Sequence, residues 1–260
     1  MRQTGAMRTI VKRRDGAPDG FFPAEAAGLA WLAAAGGVRT AAVAGVGEDW
    51  IELERVDEVR ASRAAASGFG AALARTHAAG AAAFGARPDG WHGPLFIGRR
   101  EMPAADDRSW GAFYARDRVR PFLPIAVEAG FLTAGEASVV ERACEVVEVG
   151  AFDDDEPPAR LHGDLWTGNV LWSDGGAVLI DPAAHGGHRE TDLAMLALFG
   201  CPFLDDVLAA YDRAAPLREG WRDRVPLHQL HPLAVHAAGH GRGYGVALAE
   251  AAESVLGLAS

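Results

Sequence analysis

Three polar residues interrupt one of the most apolar stretches of the chain, LHGDLWTGNVLWSDGGAVLIDP at residues 161–182. They are Asp164, Asn169 and Asp181. An unpaired carboxylate next to buried strands is costly, so the three need a common partner. Amide and carboxylate oxygens suit magnesium, which completes its shell with water and phosphate oxygens. We therefore interpret Asn169 and Asp181 as metal ligands and Asp164 as the group that orients or deprotonates a hydroxyl in phosphoryl transfer.

The segment that carries these residues has the pattern of a β-hairpin. The apolar runs NVLW and AVLI are separated by SDGG, which is typical of a tight turn. Pairing about Gly175 places Asn169 opposite Asp181, within one residue. Each polar residue alone also fits an ordinary loop or strand end. Their joint order around an apolar hairpin is what favours a site.

A lysine and a glutamate near the amino terminus have the arrangement that kinase-like enzymes use to hold nucleotide phosphates. Lys12 ends the strand-like TIVKR, and Glu25 lies early in the helical stretch 21–36. Such pairs are common on surfaces, so this one gains meaning only with the downstream trio. The segment ELERV then predicts a hinge, with the backbone of Glu54 to Val56 meeting the adenine edge.

The order of predicted elements divides the chain into two parts. Strand-like segments and one helix come before Asp57, and the remainder is mostly helical apart from the hairpin. Helices are expected near 62–80, 109–129, 133–149, 190–199, 203–213 and 227–255. We predict an α+β fold with an amino-terminal nucleotide-binding lobe at 1–56 and a helical catalytic and substrate lobe at 57–260.

The composition excludes several classes of protein. Lys plus Arg number 25 against 35 Asp plus Glu, and the resulting net charge of -10 argues against nucleic-acid binding and against a polybasic membrane anchor. Two cysteines are too few for a disulfide framework or a thiolate zinc site. We expect a cytoplasmic protein with reduced thiols and no membrane span.

At LHGDLWTGN and IDPAAHGGHRETDLAMLALFG the sequence resembles the fructosamine kinase (ketosamine-3-kinase) family, within the aminoglycoside-phosphotransferase-like branch of the protein-kinase fold. The pattern HGD, then N, then IDx is common to the branch. Trp166 after HGDL, and GHRETDLAM followed by LFG, are the more specific marks. The likeness extends over nearly the whole chain, through SWGAFYARDRVRPFL and the carboxy-terminal helices.

This resemblance implies a two-lobed kinase that uses ATP and magnesium to phosphorylate the sugar 3-hydroxyl of a ketosamine, free or protein-bound. Asp164 matches the catalytic Asp, Asn169 and Asp181 match the magnesium ligands, and Lys12 matches the phosphate-contacting lysine with Glu25 as its partner. The alternatives are a kinase of another alcohol, such as an aminoglycoside or choline-like substrate, and a truncated, non-catalytic nucleotide-binding relative.

The family-specific blocks also imply substrate contacts. Trp166 offers a ring face to the sugar, although a Trp in such a loop is as often a core residue. His188, Arg189 and Glu190 are expected at the substrate site, and ion pairs that tie the loop to a helix start are the other interpretation.

The amino terminus departs from the family pattern. Family members have a strand, a Gly-rich loop and a second strand before the lysine, whereas 11 residues precede Lys12 here. Those residues reach about 36 Å when extended at ~3.3 Å each, enough for one strand and a turn. We expect Gly5 to be a turn glycine. Either the true start lies upstream of Met1 or part of the nucleotide lid is missing, and a missing lid leaves an open sheet edge that can pair with another chain. The expected state is a monomer or weak dimer.

Overall fold

The computed structural model describes residues 7–259. Its amino-terminal part holds one helix and a small sheet: β1 (Thr9–Arg13), α1 (Phe21–Ala34), β2 (Arg39–Thr40), β3 (Val43–Val46) and β4 (Trp50–Glu54). An antiparallel sheet forms in the order β1-β4-β3, with Lys12 opposite Ile51. The apolar side of α1 packs on the inner residues of β4 in a small core. This packing brings Glu25 of α1 beneath the end of β1. Gly5, the predicted turn glycine, lies outside the described residues.

The two parts of the chain are joined by residues 55–62, which form neither helix nor strand. Val59 donates its backbone N–H to the carbonyl of Trp172, and the Ser62 hydroxyl caps the next helix by accepting from Ala65 N. We propose this segment as the boundary between the lobes.

The first elements of the second part contribute to two apolar cores: the helix at 63–78 packs in one, and the remaining elements pack in a larger one. The elements are α2 (Arg63–Ala78), β5 (Leu95–Ile97), β6 (Arg100–Met102), α3 (Trp110–Phe113), α4 (Leu123–Glu128) and α5 (Ala134–Glu148). Between α3 and α4 the chain continues as a π-helical turn, Tyr114–Val119, and a 3-10 turn, Arg120–Phe122. The predicted helix at 109–129 is therefore a series of short helical pieces, with Pro121 and Pro124 at the breaks.

Four short strands build the region that carries the polar trio: β7 (Ala159–Leu161), β8 (Val170–Ser173), β9 (Gly176–Leu179) and β10 (His185–Gly187). β8 and β9 form the predicted hairpin, with Val170 opposite Leu179. This register puts Asn169 opposite Ile180, one residue from the expected partner and within the expected tolerance. β2 lies parallel to β9, which fixes the amino-terminal part against the hairpin.

The remaining helices are α6 (Glu190–Phe199), α7 (Leu204–Ala214), α8 (Val225–Ala237) and α9 (Arg242–Leu258). The prediction of one helix over 227–255 was wrong, because the chain turns between α8 and α9. Gly241 has φ 121°, a backbone conformation that other residues rarely adopt. Among residues 7–259, no helix combines the length and the apolar composition that a membrane crossing requires.

Candidate active site

The structure brings the three polar residues of the hairpin region together. Asn169 lies at the start of β8 and is 5% exposed. Its side-chain Nδ2 donates to the Asp164 carbonyl at 2.8 Å, to Asp164 Oδ2 at 3.1 Å and to the Asp181 carbonyl at 3.5 Å. One buried amide therefore links the loop before the hairpin to the loop after it.

Lys12 lies between two carboxylates from different parts of the chain. Its Nζ is 2.8 Å and 3.0 Å from the two carboxylate oxygens of Glu25, and 2.5 Å from Asp181 Oδ1. β1 supplies the lysine, α1 the glutamate and the loop after β9 the aspartate. This contact joins the amino-terminal sheet to the polar trio.

The five residues line one cleft of about 250 Å³. Its other walls come from α1, from the β5–β6 hairpin and from the loop after Asp181, through Phe21, Ala24, Leu95, Phe96, Gly98, Trp166 and Pro182 to Ala184. The β5–β6 wall is not apparent from the sequence, because its two three-residue strands have no distinctive pattern. The cleft thus has a polar floor and apolar sides, as small-molecule sites commonly do.

Burial and neighbouring charges shift the pKa values of the polar groups. Burial raises the pKa of Asp164 to about 6, with Asp181 and Asp192 adding to the shift and the Asn169 hydrogen bond opposing it. Burial also raises the pKa of Glu25 against the opposing charge of Lys12. For Lys12, burial lowers the pKa, but the two carboxylates outweigh it and the net shift is upward. The lysine is therefore a fixed positive charge, whereas Asp164 and Glu25 are pushed towards neutrality.

The donor atoms fit a hard divalent cation. Asn169 makes the hydrogen bonds described above through its amide nitrogen. Within residues 7–259 its amide oxygen has no hydrogen-bond partner. The Asp181 side chain is 42% exposed and engages Lys12 through one oxygen only. Asp181 also has φ 53°, a left-handed conformation that is strained for a residue with a side chain. Two oxygen donors at the mouth of the cleft match the small protein contribution that magnesium needs.

A buried aspartate holds the loop that carries Asp164. Asp192 of α6 accepts from His162 N at 2.8 Å and from Gly163 N at 3.0 Å, one bond to each carboxylate oxygen. His77 Nε2 is 3.2 Å from Asp192, and His77 Nδ1 is 2.8 Å from the Tyr211 hydroxyl. The sequence analysis did not single out Asp192 as a site residue. The signal available in the sequence was the carboxylate of Asp192 at the start of an apolar helix. A carboxylate that is buried with such a helix requires a polar partner.

Gly163 explains how this loop passes so close to the loop after β9. Its φ is 79°, and a Cβ there would lie 2.2 Å from the Ala183 carbonyl oxygen. Only glycine permits this approach.

The structure places His188, Arg189 and Glu190 outside the cleft, in the interior of the helical part. Arg189 donates to the Ala215 and Pro216 carbonyls and pairs with Glu156. Glu190 receives two hydrogen bonds from Arg224, at 2.6 Å and 3.0 Å, which balance its charge. These contacts stabilise the packing of α6, and none of the three residues lines the cleft. They lie there because β10 pairs back onto β7 and turns the chain inward after Asp181. Their assignment to the substrate site stays a prediction.

His188, Glu190 and His228 approach one another closely enough to suggest a metal cluster, with donor atoms within 4.8 Å. The rings of His188 and His228 stack at 4.7 Å, and His228 Nδ1 is 3.0 Å from the Thr191 hydroxyl. Since the Arg224 guanidinium already balances the charge of Glu190, the cluster does not require a metal ion for charge balance.

Trp166 lies at the mouth of the cleft and is 39% exposed. Its ring covers Gly168, where a Cβ would lie 2.4 Å from the ring. Trp166 therefore presents one ring surface to solvent beside Asp164, as a sugar-packing residue would.

The predicted hinge residues lie where β4 ends. The Glu54 side chain pairs with Arg39, and its backbone N–H donates to the Ala42 carbonyl. The next N–H, of Arg55, donates to the Arg8 carbonyl. Within residues 7–259 the backbone of Val56 has no hydrogen-bond partner, so this peptide is available to a ligand. The hinge assignment of Glu54 and Val56 stays a prediction.

Comparison with known proteins gives a consistent result. The model of the family described as fructosamine kinase matches residues 1–257. A protein named probable ketoamine kinase from Enterococcus faecium is 34% identical over 236 residues, which make up 87% of this chain and 79% of that protein. The solved structure of a candidate fructosamine-3-kinase from Thermobifida fusca YX-ER1 is 48% identical, with a TM-score of 0.89 over 96% of this chain and 86% of that chain.

A more distant solved structure shows the fold alone. Choline kinase LicA from Streptococcus pneumoniae is 15% identical, with a TM-score of 0.60 over 98% of this chain and 88% of that chain. The predicted α+β, protein-kinase-like fold is therefore confirmed.

Proposed function

Since the chain belongs to the fructosamine kinase family, we propose that it transfers the γ-phosphoryl group of ATP to the sugar 3-hydroxyl of a ketosamine. The acceptor is a sugar joined to an amine, such as fructosamine or ribulosamine, either free or on a protein. The observation that carries the proposal is a single cleft in which Lys12 contacts Glu25 and Asp181 while Asn169 contacts Asp164.

Each polar residue has a separate task in this reaction. Lys12, held by Glu25, contacts the donor phosphates and offsets their charge. Asn169 and Asp181 hold magnesium, which supplies positive charge to the phosphate oxygens when it is bound. Trp166 packs against the sugar, and the backbone of Glu54 to Val56 receives the adenine edge.

Asp164 acts on the acceptor. The 3-hydroxyl oxygen attacks the γ-phosphorus, the bond from that phosphorus to the β–γ bridging oxygen breaks, and ADP leaves with the bond electrons. The hydroxyl proton passes to Asp164. A pKa of about 6 leaves this carboxylate mostly ionised at neutral pH, yet basic enough to accept the proton. Asp192 keeps the Asp164 loop in place during the transfer.

A substrate panel tests the function. The protein is incubated with ATP and magnesium and with one acceptor at a time: a fructosamine, a ribulosamine, an aminoglycoside or choline. We expect ADP release with the two ketosamines, and phosphorus NMR should place the new ester on the 3-hydroxyl.

Two outcomes would refute the proposal. Preference for the aminoglycoside or choline would assign the chain to another acceptor class. Magnesium-dependent nucleotide binding without turnover of any acceptor would make it a binding module.

A further inference from the structure

Aromatic side chains continue outward from Trp166 across the helical part. The ring centroids of Trp166 and Phe199 are 6.4 Å apart, and those of Phe199 and His236 are 4.5 Å apart. His236 is in turn 4.9 Å from His240 and 5.0 Å from Tyr244. These five residues, which we call the aromatic strip, come from the loop after Asp164, the end of α6, α8, the α8–α9 turn and the start of α9. Sequence separation hides the strip, since only the fold brings its members together.

The strip lies at the surface rather than in a core. Trp166 is 39% exposed, His240 is exposed, and Phe199, His236 and Tyr244 are half-buried. Its outer end opens into a depression of about 570 Å³ between the end of α6 and the α8–α9 turn. A continuous row of partly exposed rings is the kind of apolar surface that often marks a binding site. The row also starts at a residue that lines the phosphoryl-transfer cleft.

We propose that the aromatic strip is the subsite for the amine-derived part of the ketosamine, its alkyl chain and protonated nitrogen. The inference rests on the proposed function. In a ketosamine the carbon that bears the amine is two positions from the carbon that bears the accepting hydroxyl. A sugar held between Asp164 and Trp166 therefore directs its amine substituent along the surface that begins at Trp166.

The chemistry of the strip favours this occupant. Aromatic faces bind alkyl chains, and they attract cations held within about 6 Å of the ring. Burial lowers the pKa of His236, and the neighbouring His240 adds to the shift, so the His236 ring is neutral at pH 7.

The nearby arginines are already engaged. Arg242 pairs with Glu136 at 2.6 Å, and Arg100 donates to the Ala238 carbonyl at 2.7 Å. The charge of Arg242 is therefore balanced by a carboxylate, whereas the Arg100 guanidinium is held in place by a neutral carbonyl.

The test compares two ketosamines that share the sugar and differ in the amine: one made from methylamine and one made from a lysine blocked at its main chain. The quantity measured is the ratio of kcat/KM for the lysine ketosamine to kcat/KM for the methylamine ketosamine. In Tyr244→Ala and Phe199→Leu we expect this ratio to fall about fivefold to tenfold, since ring contacts of this kind contribute on the order of 1 kcal/mol.

Three further variants make the test specific. Tyr244→Phe keeps the ring and should retain the ratio. His240→Ala alters an exposed ring that cannot affect folding strongly, and it should lower the ratio by about twofold to threefold. Val246→Ala removes a 38% exposed side chain of α9 that is outside the strip, and its ratio should equal that of the parent.

The failures of the two proposals are distinguishable. If the parent protein turns over neither ketosamine, the proposed function is refuted and the subsite with it. If the parent turns over both and the strip variants leave the ratio unchanged, or lower both values equally, the subsite is refuted and the function stands.

Discussion

The two sides of the cleft are held in very different ways. The side that carries Asp164, which we call the acceptor side, is buried. Val170 and Leu179 of the hairpin are 3% and 0% exposed, and Asp192 binds the Asp164 loop from within. The side that carries Lys12, which we call the donor side, depends on β1. Ile10 and Val11 of this strand are 53% and 45% exposed. Among the described residues, β4 is the one strand that pairs with it. Acceptor-side residues are therefore positioned by the core, whereas Lys12 is positioned mainly by its own ion pairs.

This difference predicts that changes on the acceptor side affect stability and turnover together, whereas changes on the donor side affect nucleotide binding with little effect on stability. Buried networks are costly to break because the remaining partners lose their hydrogen bonds, whereas exposed pairs are screened by solvent.

The largest combined effect is expected for Asp192→Ala. The variant leaves two backbone N–H groups and His77 without their acceptor in a fully buried position. We expect the free energy of unfolding, measured in urea, to fall by about 3–5 kcal/mol. Turnover should fall by at least about 100-fold because the Asp164 loop is displaced.

Asp192→Asn, which keeps one acceptor oxygen, should show smaller losses of the same kind. Asp155→Ala is the matched control, since Asp155 is exposed. An Asp192→Ala protein as stable and as active as the parent would mean that the buried network does not hold the loop.

A smaller and more selective effect is expected for Lys12→Met. Loss of the charge-assisted bonds to the donor phosphates should raise KM for ATP by roughly 10-fold to 100-fold. The free energy of unfolding should change by less than about 1 kcal/mol, because the Lys12 side chain is 34% exposed and its ion pairs are screened by solvent. Burial already raises the pKa of Glu25, so Glu25 can take up a proton when the lysine is removed.

Arg13→Met removes the same charge from the neighbouring exposed residue and is the control for Lys12→Met. If both variants change KM for ATP equally, Lys12 acts only through the net charge of β1.

The third prediction concerns pH and the buried histidines of the helical part. Burial lowers the pKa of His228 to about 4 and that of His231 to about 3. In the unfolded chain these histidines take up a proton at higher pH than in the folded protein, near their ordinary pKa of about 6.5. The free energy of unfolding therefore decreases as pH falls below about 6.5, and the decrease levels off below the folded-state pKa values. Thermal melts from pH 7 to pH 4 should show a decline on the order of 1–3 kcal/mol for each histidine.

Glu190 extends the same decline to lower pH. Arg224 and His228 outweigh burial and lower its pKa to about 2, so its stabilisation is present above about pH 4.5 and is lost below it. His228→Gln should flatten the melt profile between pH 6.5 and pH 4, whereas His92→Gln, at an exposed position, should not. An unchanged profile in His228→Gln would remove that residue from the explanation.

Sequence reasoning reached the hairpin and its polar ends because their relation is local. Tight-turn residues and alternating apolar runs determine the register to within one residue, and the glycine beside Asp164 indicates the bend. Lys12 and Glu25 were also accessible, because a strand followed by a helix places the two side chains within reach of each other. Both inferences use contacts between neighbouring elements.

The features that sequence reasoning missed depend on contacts between distant segments. Asp192 meets His162 across 30 residues and His77 across 115 residues, and no periodic pattern records either pairing. His188, Arg189 and Glu190 were assigned to the substrate because they follow Asp181 in a family-specific block of the sequence. The pairing of β10 with β7, which carries them into the interior, depends on how the whole helical part packs.

The most direct test of phosphoryl transfer in this cleft is the rate of ketosamine phosphorylation by Asp164→Asn, measured together with its Kd for magnesium-ATP. Asp174→Asn, at the exposed tip of the same hairpin, is the control. We predict that turnover falls by about 1000-fold while the Kd changes by less than about twofold, because Asn keeps the shape of Asp164 but cannot accept the proton. Turnover within about tenfold of the parent would contradict a role for Asp164 in accepting the substrate proton.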